Sequence, residues 1–310
     1  MFKPSLISLA TSVPILHAEF PYLSRSTQNL STTYPNIGAC VGLPVQYSCE
    51  NTTVLTNSCC NVAQGGLVLQ TQYWNTYTGL ESQGQLLPQG SWSIHGLWPD
   101  NCDGSFDQYC DFSRQYDPAP SPSILPDGTV VPPYQGPSVR TFIQDFGRYD
   151  LLKYMDTYWI NQGAPNEDFW AHEFSKHATC TSTFDVACYE PGYQEHKEVV
   201  NFYETVTKVF QMYPTYNILA AAGIVPSNTT TYTLSEITNA LYSQTGAVPY
   251  LGCYGSSGTI LDEVWYFHHV LGTEQYGHFK TLNSTTPSSC AETGIWYYER
   301  TPTSERVVSY

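Results

Sequence analysis

The stretch FWAHEFSKHATC, residues 169–180, places two histidines, a glutamate and a lysine within six positions, between aromatic residues and a cysteine. Read as a helix, it is held against a core by Phe169, Trp170, Phe174 and Cys180. Residues three or four apart share a helix face, so Glu173, Lys176 and His177 converge on one rim with His172 at its edge. The zinc-protease helix pattern needs two histidines four apart. Here the spacing is five, and on a regular helix His172 and His177 stand about 140° apart. The spacing therefore predicts no shared metal ion. Two readings are left, a charged solvated face and an acid–base site. A histidine pair can supply one acid and one base near neutral pH, and a lysine adds positive charge beside developing negative charge. That set suits phosphoryl or acyl transfer. A G-x-S-x-G serine elbow is absent from the sequence, and paired cysteines would leave no thiol nucleophile. Metal-independent phosphodiester cleavage leads.

Outward from this stretch, GGLVLQTQYW (65–74) has strand composition, and SWSIHGLWP (91–99) is a second strand expected to end at Gly96 and Pro99. Residues 113–137, rich in Pro, Ser and Gly, read as an irregular surface excursion. Val139, Phe142, Ile143 and Phe146 carry the helical period, as do Val199, Phe202, Tyr203, Val206, Val209 and Phe210. Thr233 followed by Glu236 predicts a capping box for a helix through Leu241. DEVWYFHHV (262–270) and GIWYYER (294–300) return to strands. No internal repeat is visible. Strands and helices are partly segregated, which predicts a single α+β domain with a central antiparallel sheet flanked by several helices.

The chain has 310 residues, of which 13% are charged and 15% aromatic, with a formal net charge of −15. Such a molecule repels polyanions and membrane surfaces at long range. An anionic substrate would need a local basic site, and the field weakens as carboxylates protonate. Ten cysteines without a CxxC pair argue against a zinc ribbon and for a disulfide framework in an oxidising compartment. Adjacent Cys59 and Cys60 require different partners. Sequons at Asn29, Asn51, Asn228 and Asn283 fit the same compartment. Met1-Phe2-Lys3, the apolar run Ser5–Leu16 and small Ala18 predict a signal peptide over residues 1–18, followed by a leader over 19–39. No other apolar run is long enough to span a bilayer. The expected destination is extracellular, with a vacuole or lysosome-like lumen as the alternative. Nothing points to an oligomer, so a monomer is expected.

A second constellation is SWSIHGLWPDNC, residues 91–102. Taken alone, a histidine at a strand end is more often a hydrogen-bonded core residue, and Trp98 more often core than platform. Together, I-H-G-L-W-P-D and F-W-x-H-E-F-S-K-H-x-T-C resemble the two active-site segments of the ribonuclease T2 family of secreted acid ribonucleases, over Cys40 to about Arg300. The cysteine pattern is most similar to the fungal branch. The resemblance implies a catalytic domain over 40–300 with a tail over 301–310. It implies bridges Cys40–Cys60, Cys49–Cys102, Cys59–Cys188, Cys110–Cys180 and Cys253–Cys290.

It further implies cleavage of single-stranded RNA through a 2′,3′-cyclic phosphate to a 3′-phosphate, with no cofactor and no metal. His177 would be the general base and His95 the general acid. Glu173 and Lys176 would stabilise the transition state, and His172 would hold the phosphate. Trp98, Asp100 and Phe106 would form one base site, with Asp100 favouring adenine. Phe169, Gln72, Asn161 and Gln162 would form a second. Phe106 stands where the fungal relatives have tyrosine, Ala178 replaces a glycine, and Ile160 occupies the place of a proline. The rival readings are an inactive protein on the same scaffold, which predicts a damaged catalytic set, and an unrelated secreted hydrolase, which wants a metal or paired carboxylates.

Overall fold

The computed structural model describes residue 40, residues 42–50 and residues 57–308. The signal peptide, the leader and the sequons at Asn29 and Asn51 lie outside the described residues. The elements are β1 (Leu67–Tyr73), β2 (Leu87–Pro88), β3 (Ser93–Asp100), α1 (Val139–Asp145), α2 (Tyr149–Tyr158), α3 (Asn166–Lys176) and α4 (Lys197–Phe210), then α5 (Thr215–Ala221), β4 (Thr231–Tyr232), α6 (Leu234–Thr245), β5 (Tyr250–Tyr254), β6 (Ile260–Leu271), β7 (His278–Leu282), β8 (Ile295–Trp296) and β9 (Glu305–Arg306).

The α+β class holds. One sheet runs β3-β1-β6-β8-β4, and β6 is its spine. Along one edge β6 pairs antiparallel with β1 from Glu263 to His269. Its other edge is shared end to end, first by β5 and then by β7. The pairing departs from purely antiparallel at one point, where β8 meets β6 in parallel. β1 lies between β3 and β6, so nearly every residue of LVLQTQY is buried and the strand reads as a continuous run rather than an alternation.

β3 does not stop at Gly96 and Pro99. It continues to Asp100, with Pro99 opposite Val68. A proline is tolerated there because β3 is the edge of the sheet and its missing N–H faces no further strand. GIWYYER likewise contributes only Ile295 and Trp296 to the ladder.

Helix α4 packs its Val199, Phe202, Tyr203, Val206 and Val209 face on β1 and β3, and all five side chains are buried. α1 follows its expected period, with Val139, Phe142 and Ile143 buried. Thr233 and Glu236 form a complete capping box at α6. Residues 301–308 are not a free tail. Ser304 is buried, and β9 pairs in parallel with β2.

The five disulfides join Cys40–Cys60, Cys49–Cys102, Cys59–Cys188, Cys110–Cys180 and Cys253–Cys290, the pairs the resemblance implied. The Pro/Ser-rich excursion is surface only in part. Arg114, Gln115, Asp117 and Val131 are buried, because Asp117 and Arg114 find partners on α3 and beyond it. Among the described residues no helix is long and apolar enough to cross a membrane. Asn228 and Asn283 are exposed.

Candidate active site

The site forms where the outer strand of the sheet meets the C-terminal end of α3. β3 delivers His95 through an irregularity. Thr71 pairs with Gly96 and Gln72 pairs with Ile94, so His95 is the extra residue of a β-bulge. A bulge re-aims a side chain without ending the strand. Ile94 and Leu97 point into the core, while His95 and Trp98 face α3. Gly96 lies between them. A Cβ there would come within 1.9 Å of Glu173 Oε2 and 2.8 Å of Trp98 Nε1. Only glycine lets the helix carboxylate approach this closely.

Helix α3 is built to hold its end in place. Glu167 and Asp168 lie in its first turn and Lys176 in its last, each complementing the helix dipole. Trp170 and Phe174 are buried on the core side. The Tyr109 N–H donates to Lys176 O at 2.9 Å, and the bridge from Cys110 to Cys180 closes the next turn. The helix stops at Lys176, and His177 is its cap, with φ −109° and ψ −57°. The regular-helix argument that separated His172 from His177 fails for this reason. Their rings are 6.4 Å apart, and ligand-capable atoms of His172, Glu173 and His177 lie within 4.8 Å of one another. The cluster could hold an ion by distance, but the Lys176 ammonium acts on both Glu173 and His177. A positive charge that acts on two of the three would-be ligands works against a divalent ion.

Three of the five catalytic candidates, His95, Glu173 and His177, meet around one indole, and His172 stands beside His177. Trp98 donates its N–H to Glu173 Oε2 at 2.8 Å. One of its faces is stacked on His177, with centroids at 5.1 Å, and His95 meets it edge-on at 4.6 Å. His95 Nε2 is 3.6 Å from Glu173 Oε1. Burial pushes the Glu173 carboxyl up to about 8, so below neutrality it is a neutral acid. Its Oε1 is buried and has no hydrogen-bond partner. Burial drives His177 well below the ordinary histidine value, and Lys176, His172 and His95 push the same way. Burial also lowers His95, but Glu263 opposes it.

Several residues that complete the site carried no motif. Glu263 Oε1 is 2.8 Å from His95 Nδ1, and Trp265 Nε1 donates to Glu263 Oε2 at 3.2 Å. Tyr73 stacks on His95 with centroids at 3.9 Å and planes within 17°. Asp117 Oδ2 lies 2.7 Å from His172 Nδ1 and accepts from the Tyr109 hydroxyl at 3.0 Å. The one signal in the sequence was an acidic pair, Asp262-Glu263, inside the apolar strand DEVWYFHHV. Asp117 lay in the Pro/Ser-rich excursion, where nothing marked it.

The base-site candidates divide. Phe106 is 59% exposed and forms an isolated backbone bridge with Asp100, so an aromatic face and a carboxyl stand side by side. Burial raises Asp100 to about 7. Trp98, with one face on His177, has at most one face for a base. Phe169 lies 5.5 Å from the His95 ring. Asn161 and Gln162 occupy the loop after α2, their amides donating to Pro165 O and Tyr77 O. Gln72 does not belong to a base site. It is fully buried, donates to Gln70 Oε1 and Tyr213 O, and accepts from Thr215. Neighbouring side chains on a strand point to opposite faces, so with Tyr73 at the site Gln72 turns into the core. Ala178 is also fully buried, in a short 3₁₀ turn where its methyl packs in the core.

Comparison with known proteins gives the family of the chain. The sequence model of the Ribonuclease T2 family matches residues 65–290. A ribonuclease T2 of Aspergillus oryzae is 37% identical over 254 residues, covering 82% of this chain and 81% of that protein. Ribonuclease Trv of Hypocrea rufa is 39% identical over 252 residues, covering 81% and 94%. Among solved structures, actibind, a T2 ribonuclease, superposes with a TM-score of 0.70 at 34% identity, over 83% of this chain and 96% of that one.

Proposed function

Since the chain belongs to the ribonuclease T2 family and is thereby an RNA endonuclease, we propose that it cleaves single-stranded RNA by metal-independent transphosphorylation. The observation that carries this reading is the convergence of His95 and His177 on Trp98 and Glu173 from two separate segments.

In the first step His177, kept neutral by burial and its cationic neighbours, takes the proton of the ribose 2′-hydroxyl. The O2′–P bond forms and the P–O5′ bond breaks. The proton of His95 goes to the departing O5′. In the second step water gives a proton to His95 and attacks phosphorus, the P–O2′ bond breaks, and His177 returns its proton to O2′. Glu173, a neutral acid below about 8, can donate to a non-bridging oxygen from its unpartnered Oε1. Lys176 supplies positive charge, and His172 on Asp117 binds the phosphate. DNA lacks the nucleophile and is not a substrate.

The base must be deprotonated and the acid protonated, so the rate profile is bell-shaped. Both histidines lie below 6.5, which places the bell on the acid side. Below about 7 the Asp100 carboxyl is neutral and offers both a donor and an acceptor to adenine beside Phe106. The five bridges and the two exposed sequons fit a secreted, glycosylated, monomeric enzyme that scavenges RNA, with a vacuolar lumen as the alternative.

The test is RNA digestion in EDTA at acidic pH, with 2′,3′-cyclic phosphates as the expected products. His95→Ala and His177→Ala should each lose roughly 10²–10⁴ in rate with the fold intact. Degradation that needs added metal would instead make the His172, Glu173 and His177 cluster an ion site. Retained activity in either alanine variant removes the acid–base assignment.

A further inference from the structure

We propose that Glu263 is the positioning residue that makes His95 the acid, by tethering its Nδ1 so that Nε2 presents a proton to the leaving oxygen. The inference rests on the ribonuclease reading above and concerns the same site.

It begins from an asymmetry among the three histidines. His95 and His172 each place Nδ1 on a carboxylate, Glu263 at 2.8 Å and Asp117 at 2.7 Å. The ring of His177 has no carboxylate within bonding range among the described residues. A carboxylate on Nδ1 fixes the tautomer and favours the imidazolium, whereas an unpaired ring beside cations stays neutral. The pairing pattern by itself therefore separates acid from base.

Glu263 is held firmly enough to do this. Its Cα pairs with that of Tyr73 across β6 and β1. The Tyr73 ring lies flat on His95. Trp265, two residues along the same face of β6, bonds to Oε2. The imidazole is thus clamped by a carboxylate at one edge and by a phenol ring on one face. Its backbone is fixed by Trp159, which donates to His95 O at 2.9 Å. The charged and titratable groups facing His95 are Glu263 from β6, Tyr73 from β1, and Glu173, Lys176, His172 and His177 from the α3 side. Burial, His172 and Lys176 disfavour its proton, and Glu173 is neutral at acid pH. That leaves Glu263 as the group that favours the protonated ring against those effects.

Glu263→Gln keeps the size and an acceptor oxygen but removes the charge. The expected result is a shift of the alkaline limb of the kcat profile by about one pH unit or more to lower pH, with kcat down at least about tenfold and KM nearly unchanged. Glu263→Asp keeps the charge and should return the limb toward that of the unaltered protein. An alkaline limb that does not move in Glu263→Gln, or one that moves equally in Glu263→Asp, overturns the proposal. If Glu263→Gln does not fold, ¹⁵N NMR of the histidine rings in the unaltered protein decides. Neutral His95 should carry its proton on Nδ1, and the Nε2–H tautomer would overturn the proposal. The tautomer readout needs no turnover, so its failure is distinct from failure of the ribonuclease assignment, which His95→Ala tests.

Discussion

At Gly96 the lack of a side chain makes room for the Glu173 carboxylate. Gly96→Ala would press a methyl group against Oε2 and the Trp98 indole. Overpacking a buried position costs about 1–3 kcal/mol, but the larger effect is on geometry. Displacing Glu173 by roughly 1 Å should lower kcat/KM on the order of 10²-fold. The expected outcome is a folded protein with an intact cluster of bridges and a large loss of rate, read by thermal melting alongside RNA cleavage. At this scale the sequence was informative where residues sit in runs. His95, His172, Glu173, Lys176 and His177 all reach the site. Gln72 does not, because the motif said nothing about which face of β1 it occupies.

At the scale of elements, the site depends on how α3 ends. Had the helix continued through Cys180, His177 would point away from His172. The helix instead closes at Lys176, held by Tyr109 N–H on Lys176 O, Cys110 N–H on Thr179 Oγ1, and the Cys110–Cys180 bridge. That bridge spans 70 residues of sequence, and a loop of that size corresponds to about 4 kcal/mol of lost unfolded-state entropy. Replacing both cysteines by serine should lower stability by about 2–4 kcal/mol in chemical denaturation. Activity below the new transition should fall further than the folded fraction does, because Tyr109 and His172 share Asp117. The β-bulge at His95 is the counterpart on the sheet. Without the extra residue the alternation of β3 would place His95 on the face opposite Trp98 or Ile94 out of the core.

At the scale of the whole molecule, the buried acids set the pH response. Glu173 and Glu274 are pushed up to about 8 by burial, Asp100 to about 7 and Asp262 to about 6. A carboxyl whose folded value is raised binds its proton more tightly when folded. Its contribution is fully present below the ordinary value of about 4.5 and is lost as pH rises through the folded value. Buried His268, lowered to about 4, acts in the other direction and costs stability as pH falls below about 6.5. Stability should therefore peak on the acid side, near the activity bell. Glu274 isolates the effect, since it is buried, its N–H donates to Thr183 rather than to a candidate site residue, and its Oε2 has no partner. Glu274→Gln should be more stable than the unaltered protein at pH 8 by up to a few kcal/mol, with the difference vanishing near pH 5. Equal stability at both pH values would show that Glu274 is ionised without penalty. The net charge of −15 acts in the same sense, since lower pH weakens repulsion of the polyanionic substrate.

The sequence by itself determined the α+β class, the two segments that carry the histidines, the helical periods of α1 and α4, the capping box of α6, and, through resemblance, the bridge partners. These are local or covalent properties, expressed in spacing along the chain. Only the tertiary structure decided that β3 bulges at His95, that α3 ends at Lys176, that Gln72 faces inward, and that Glu263, Tyr73 and Asp117 reach the histidines proposed as catalytic. Each of those depends on strand register or on where a helix is cut off by its neighbours. Register is set by packing between residues far apart in sequence, so no spacing along the chain contains it.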